Sequence, residues 1–163
     1  MPRAGRPCMT LKQRAKNVLV TGGLTTVATT AAALIVSKLE TGSAAAGLNA
    51  TSHIVWGDEA ASVDGFEPKY TVVGGLLNAG AMLAWSVLHE VLPPQPGALN
   101  ALTKGLLTSG TAYLTDYRVV PSRLTPGFEK RFSPRGMAWM YGVLGAAFTL
   151  AGAITARHRA TTA

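Results

Sequence analysis

The chain has 163 residues, enough for one domain, with 48% hydrophobic and 14% charged residues and a net charge of +7. That composition lies on the apolar side of ordinary globular usage. A single cysteine, Cys8, excludes an internal disulfide and a cysteine-based metal cluster. The basic residues sit in short clusters beside apolar runs and carry no nucleic-acid motif, so they point to membrane anchoring and not to nucleic acid.

Three runs contain no charged side chain: those enclosed by Lys16 and Lys38, by Lys69 and Glu90, and by Arg135 and Arg157. A helix rises about 1.5 Å per residue, so roughly 20 apolar residues cross a hydrocarbon core of about 30 Å. A soluble bundle would place charges along the wet face of each helix, and these runs have none. The expected fold class is all-α, an integral membrane four-helix bundle. It forms a single membrane domain over 1–163, with spans near Asn17–Ser37, Tyr70–Leu92, Ala98–Tyr117 and Gly136–Ala156.

The first span follows a basic start, and Ala44 to Ala46 offer a small-residue cleavage site. The run is longer than the roughly 7–15 residues of a signal-peptide core, so it is expected to stay as a helix. The long connection from Leu39 to Lys69 follows. Its part from Thr41 to Gly57 is uncharged, which suits an interfacial or re-entrant helix, while Asn49, Thr51, Ser52 and His53 make it too polar for a fifth span. Pro93, Pro94, Pro96 and Gly97 predict a tight turn between the second and third spans. The third span is the weakest of the four. Ser133 before Pro134 predicts an N-cap with proline at the first helical position of the fourth.

Flanking Lys and Arg counts tie between the two sides. The dense cluster of Arg3, Arg6, Lys12, Arg14 and Lys16 ahead of the first span places both termini in the cytoplasm. An even number of spans puts the acidic first loop and the basic third loop on one face, where they are expected to pair across the mouth of the bundle.

Ala138, Gly142, Gly145, Thr149, Gly152 and Ala156 form a small-residue seam on the fourth helix. Such seams let helices approach closely in lipid, and this one suits a homo-oligomer or a membrane-protein partner. Gly22, Thr26, Thr29 and Ala33 give the first helix a similar face. Gly74, Asn78, Ala81, Trp85 and His89 line one side of the second.

Lys104 is an ionisable group inside the third span, within snorkelling distance of the preceding turn. With Thr108, Thr111 and Thr115 it forms a polar stripe that could line a narrow path. His89 and Glu90 end the second helix on the side where His158 ends the fourth. Metal or proton chemistry there is a weak reading, because histidines at helix C-termini are favoured electrostatically. His53 lies on the other face and cannot share a metal with His89.

The most specific strings run from Ser52 to Ala61 and from Asp116 to Glu129. The first offers His53, Trp56, Asp58 and Glu59. The second offers Asp116, Tyr117, Arg118, Arg123 and Glu129 around a Pro-Gly turn. Together they predict a polar cap with interfacial aromatics. A histidine beside acids also fits a general base, although polar loops more often only satisfy one another. With Asn49 to His53 and Trp85 to Glu90, these strings resemble the pattern of a family of small uncharacterised bacterial inner-membrane proteins. The resemblance spans scattered blocks from Leu48 to Ser133 and implies a multi-pass protein of the bacterial inner membrane. No nucleotide loop, nucleophile elbow or zinc motif is present.

The sequence therefore predicts a non-catalytic membrane protein without metal or cofactor, whose partners are the lipid bilayer and another membrane chain. The alternative is a small transporter or proton-linked channel using Asn78, Lys104 and the threonine stripe. A membrane enzyme using His53 with Asp58 or Glu59 is the third reading.

Overall fold

The computed structural model describes residues 9–92 and 100–161, with side chains to 157. The expected turn at 93–97 and the side chains of Cys8 and His158 lie outside the described residues. Three helices are long and apolar enough to cross a membrane: α1 (Leu11–Thr41), α5 (Pro68–Val91) and the Pro134–Arg157 part of α7 (Pro134–Thr161). Between α1 and α5 come the short helices α2 (Ala46–Thr51), α3 (His53–Trp56) and α4 (Asp58–Ala61). Helix α6 (Asn100–Leu114) precedes α7, and no strand is present among the described residues.

The ends of the helices follow local chemistry. Thr10 and Gln13 form a reciprocal capping box that starts α1, and Gly42 ends it in the left-handed region at φ 79°. α7 begins at Pro134, and the Ser133 Oγ accepts from the Gly136 N–H at 3.2 Å. Glu40 at the far end of α1 accepts from both the N–H and the Oγ of Ser133 at 2.7 Å. This pair ties the start of α7 to the end of α1.

The third helix departs from expectation. Its described α-helical part has 15 residues, about 22 Å long, and is too short to cross a core of about 30 Å by itself. The chain continues without a break into a π-helical turn, Thr115–Val119, closed by the Val120 N–H donating to the Thr115 carbonyl at 3.0 Å. The wider turn shifts the register there, so that Asp116 and Tyr117 both sit against α7.

Helices α1 and α5 are antiparallel. Asn17 bonds Glu90, Gly22 abuts Leu83 and Asn78 bonds Thr29. α6 runs antiparallel to α7, with Gly105 against Thr149 and Ser109 donating to the Tyr141 carbonyl at 2.6 Å. α1 also packs on α7, whereas α5 and α6 touch at few positions.

The small-residue seam of α7 is used inside the chain. A Cβ at Gly105 would lie 2.7 Å from the Gly145 carbonyl oxygen, and Gly152 faces His89 and Ala101. The part of the seam formed by Gly145, Thr149 and Gly152 therefore packs on α5 and α6, while Ala138, Gly142 and Ala156 are exposed. On α1 the inward residue is Thr25, fully buried, while Thr26 is only half-buried.

The uncharged half of the long connection turns back into the protein. Every residue from Ala45 to His53 is buried, and α2 packs on α1 and α5. A Cβ on Gly74 of α5 would overlap the Leu48 carbonyl oxygen. The Ser37 Oγ accepts from the Gly47 N–H at 2.7 Å. Leu48 then joins Ala33, Val36, Phe128, Phe132 and Met140 in an apolar cluster under the loops.

Candidate functional site

The loop end of the bundle is held by contacts between the first and third loops. Lys130 donates to Asp58 at 2.6 Å and Arg131 pairs with Asp64. The Arg123 guanidinium donates to the Ile54 and Val55 carbonyls at 3.3 and 3.4 Å. Glu59 accepts from the Tyr70 hydroxyl, and Lys69 lies 4.7 Å over the Trp56 ring. Glu129 accepts from the Thr125 Oγ at 2.5 Å. The two motif strings thus meet as a cap. The Lys130 ammonium holds the Asp58 carboxyl below its ordinary value of 3.8, first through the hydrogen bond and then through its charge. That contribution is fully present above the ordinary carboxyl pKa and is lost as pH falls through the lowered one.

His53 is 1% exposed, and its Nε2 lies 2.9 Å from the Thr125 carbonyl. A carbonyl only accepts, so Nε2 carries the proton and the ring latches α3 to the third loop. Gly127 makes the latch fit, since a Cβ there would come 2.7 Å from the His53 Cδ2 and its φ is 80°. The acids that follow it in the chain are bonded elsewhere, Asp58 to Lys130 and Glu59 to Tyr70. His53→Ala is expected to lower the unfolding free energy by about 1–3 kcal/mol, the penalty for stranding a buried carbonyl, and so to lower the midpoint of unfolding in detergent. Asp58→Asn should leave that midpoint nearly unchanged, because exposed ion pairs contribute little.

Beneath the cap a cavity of about 130 Å³ lies between α5 and α7, roofed by Leu124, Pro126 and Phe128. Met82, Trp85, Met140 and Leu144 make its walls mainly apolar, and Asn78, Thr29, Thr51 and Asp116 add polar groups. Asp116 accepts from the Tyr141 hydroxyl at 2.7 Å, and the Asn78 amide donates to Thr29 and Thr30 at 3.1 Å. α6 itself lines none of the cavity, and exposed Ala81 and Leu124 border it.

At the opposite end His89 and Glu90 are buried, and the Asn17 amide donates to Glu90 at 3.1 Å. The Thr108 hydroxyl gives its proton to the Lys104 carbonyl at 2.8 Å, so His89 Nδ1, 3.0 Å away, donates to Thr108. The His89 ring stacks on Phe148 at 5.0 Å. Lys104 is half-buried one turn before Thr108. The expected stripe does not line one path, because Thr108 is buried whereas Thr111 is exposed.

Sequence reasoning named Asn49 only as a polar residue of the connection and Tyr117 only as a member of the cap, and it foresaw neither the Asn49 hydrogen bonds nor the aromatic cluster of Tyr113, Tyr117 and Tyr141. Asn49 is fully buried, donates to the Val63 and Gly65 carbonyls at 2.8 Å each and accepts from Thr71 at 2.6 Å. The i, i+4 spacing of Tyr113 and Tyr117 was the available signal for the cluster. Tyr141 reaches it only through the α6–α7 pairing, with ring centroids 5.1 and 5.9 Å from the other two.

The fold defines an all-helical protein with three helices compatible with membrane spanning. No family model matches the chain, and no curated protein or solved structure matches it.

Proposed function

We infer that the chain is a four-span membrane protein with both termini in the cytoplasm. It works as a non-catalytic interaction component that takes an apolar group into the cavity beneath its cap. One observation carries the membrane reading: the long helices turn their small and polar residues inward. α1 buries Thr21, Gly22, Thr25, Thr29 and Ser37 while Leu19, Val27 and Ile35 are 65, 70 and 60% exposed. α5 buries Gly74, Asn78, Ser86 and His89 and exposes Leu76 and Val87. Exposed leucine and valine on this scale are unfavourable in water and neutral against lipid, where close packing of small residues and interhelical hydrogen bonds hold helices together.

The rod of α6 and its π turn, from 100 to 119, supplies the fourth span. Its antiparallel pairing with α7 supports this reading. The cap supports an interaction role, because Asp58, Asp64, Arg123, Lys130 and Arg131 are engaged within the chain while the cavity under them stays open to the surface. Location in a bacterial inner membrane is part of this proposal and rests on the motif resemblance.

Single cysteines at Ser62, Gln95 and Ser122, in a chain lacking Cys8, test the topology with a membrane-impermeant thiol reagent on intact cells. Labelling at Ser62 and Ser122 without Gln95 is the expected result. Labelling of Gln95 alone would invert the bundle, and labelling that separates Ser62 from Ser122 would overturn four spans.

A further inference from the structure

The cavity beneath the cap leaves polar atoms unused within reach of a ligand. Its volume of about 130 Å³ is close to the roughly 150 Å³ that holds a single benzene ring. One acid, Asp116, lines it, and no lysine, arginine or histidine does. Asp116 is half-buried, and its Oδ2 accepts from the Tyr141 hydroxyl at 2.7 Å. Its Oδ1 accepts from no described residue and is not sealed off. The charged group whose field reaches Asp116 is Glu129, a second acid.

Asn78 on α5 repeats the pattern from another wall. It is 5% exposed, and its amide nitrogen donates to Thr29 and Thr30. Its carbonyl oxygen accepts from no described residue and is likewise not sealed off. The hydroxyls on the lining have given their protons away, Thr29 to Thr25, Thr51 to Gly47 and Tyr141 to Asp116. The Trp85 indole N–H is the side-chain donor on the lining that no described residue engages.

Such a lining selects its ligand by charge. A carboxylate at an apolar cavity is costly as a lone anion, and an arriving cation offsets that cost. An anionic ligand would meet Asp116 with no base to compensate it, and a zwitterionic lipid headgroup would bring its phosphodiester into the same place. A primary ammonium supplies both the charge and the N–H groups that unused acceptors need. The ring faces of Trp85 and Tyr141 add attraction for a cation, and Met82, Met140 and Leu144 surround an apolar body.

We propose that the cavity binds a small organic amine in its ammonium form, with the ammonium on Asp116 and a single-ring or short aliphatic body among Met82, Met140 and Leu144. The amine site rests on the reading of this cavity as a ligand site. Equilibrium dialysis of labelled phenethylammonium against the full chain in a nonionic detergent, with empty micelles as the blank, measures it.

The wild type is expected to bind phenethylammonium saturably and the neutral phenethyl alcohol about tenfold or more weakly. Hydrocinnamate and dihexanoyl-phosphatidylethanolamine should not displace the amine. Asp116→Asn should weaken the amine by about tenfold or more, as expected for loss of a charge-assisted hydrogen bond, and leave the alcohol nearly unchanged. Its amide still accepts from Tyr141, so thermal unfolding should report a folded chain. Ala81→Trp, at the exposed border of the cavity, keeps the acid and should block both ligands.

Unchanged amine affinity in Asp116→Asn or in Ala81→Trp would place the amine elsewhere and overturn the proposal. Displacement by the phospholipid would make this a headgroup site and overturn it as well. Equal binding of amine and alcohol would remove the charge requirement, ending the amine site while the apolar cavity stands. If neither binds, the amine site and the ligand-site reading fail together.

Discussion

Gly74→Val should prevent the buried connection from seating and leave the protein unfolded or open to protease between α1 and α5. A Cβ at this position overlaps the Leu48 carbonyl oxygen, with the carbonyl carbon 2.7 Å away. Both partners are backbone, so no rotamer change relieves the clash. Ordinary overpacking costs about 1–3 kcal/mol, and a clash between two packed helices should exceed that. Gly74→Ala is expected to fall in the same direction with a smaller loss. Gly75 and Gly80 are the controls, because nothing lies within 4 Å of a Cβ built on either. Alanine at those two positions should leave the detergent unfolding midpoint unchanged or raise it, since alanine is the better helix former. Equal tolerance at Gly74 and Gly75 would mean that α2 does not pack against α5.

Asn49→Leu should be nearly as damaging, for an electrostatic reason. The amide is fully buried and completes three hydrogen bonds, to the Val63 and Gly65 carbonyls and from the Thr71 hydroxyl. Leucine fills similar space but strands all three groups, at about 1–3 kcal/mol for each that water cannot reach. Asn49→Asp separates shape from hydrogen bonding. The carboxylate can still accept from Thr71 but must face two carbonyl oxygens without a proton to offer, so it should also destabilise. Limited proteolysis across 58–67, with unfolding in detergent as the second reading, checks both variants. Retained protease resistance in Asn49→Asp would show that Val63 and Gly65 are not held by this side chain.

The two effects share one cause. In lipid, transferring leucine from the surface to the interior yields little, so the interior is specified by close approach and by hydrogen bonds instead of by apolar volume. This is why the sites expected to be most sensitive to substitution are a glycine and an asparagine. The hydroxyls of Thr25, Thr29, Ser86, Thr149 and Thr155 bond to the preceding turn of their own helices. They can be buried without needing a partner across the interface, which lets polar residues line the packed faces at low cost.

The uncharged runs were legible in the sequence because charge is the property a membrane-sized helix cannot distribute along its length. The start of α7 was legible in Ser133 and Pro134, where capping is local. The two motif loops meet at one end of the bundle, which fits the antiparallel pairing of α1 with α5 and of α6 with α7. The placement of individual polar side chains did not follow. Asp58 and Glu59 looked like companions of His53, yet a four-residue helix turns His53 inward to Thr125 while the acids meet Lys130 and Tyr70. The seam on α7 read as a face for close helix approach, and periodicity shows which residues share a face but not that α6 covers Gly145 and Thr149.

By itself the sequence determined the all-helical class, the long apolar helices and the composition of the loop cap, because these depend on local propensity and charge spacing. Only the tertiary structure decided that residues 45–53 turn inward, that α6 ends in a π turn presenting Asp116 and Tyr117 to α7, and that Asp116 and Asn78 line one cavity. Each of these is set by contacts between residues distant in sequence, where the spacing along the chain carries no record of the partner.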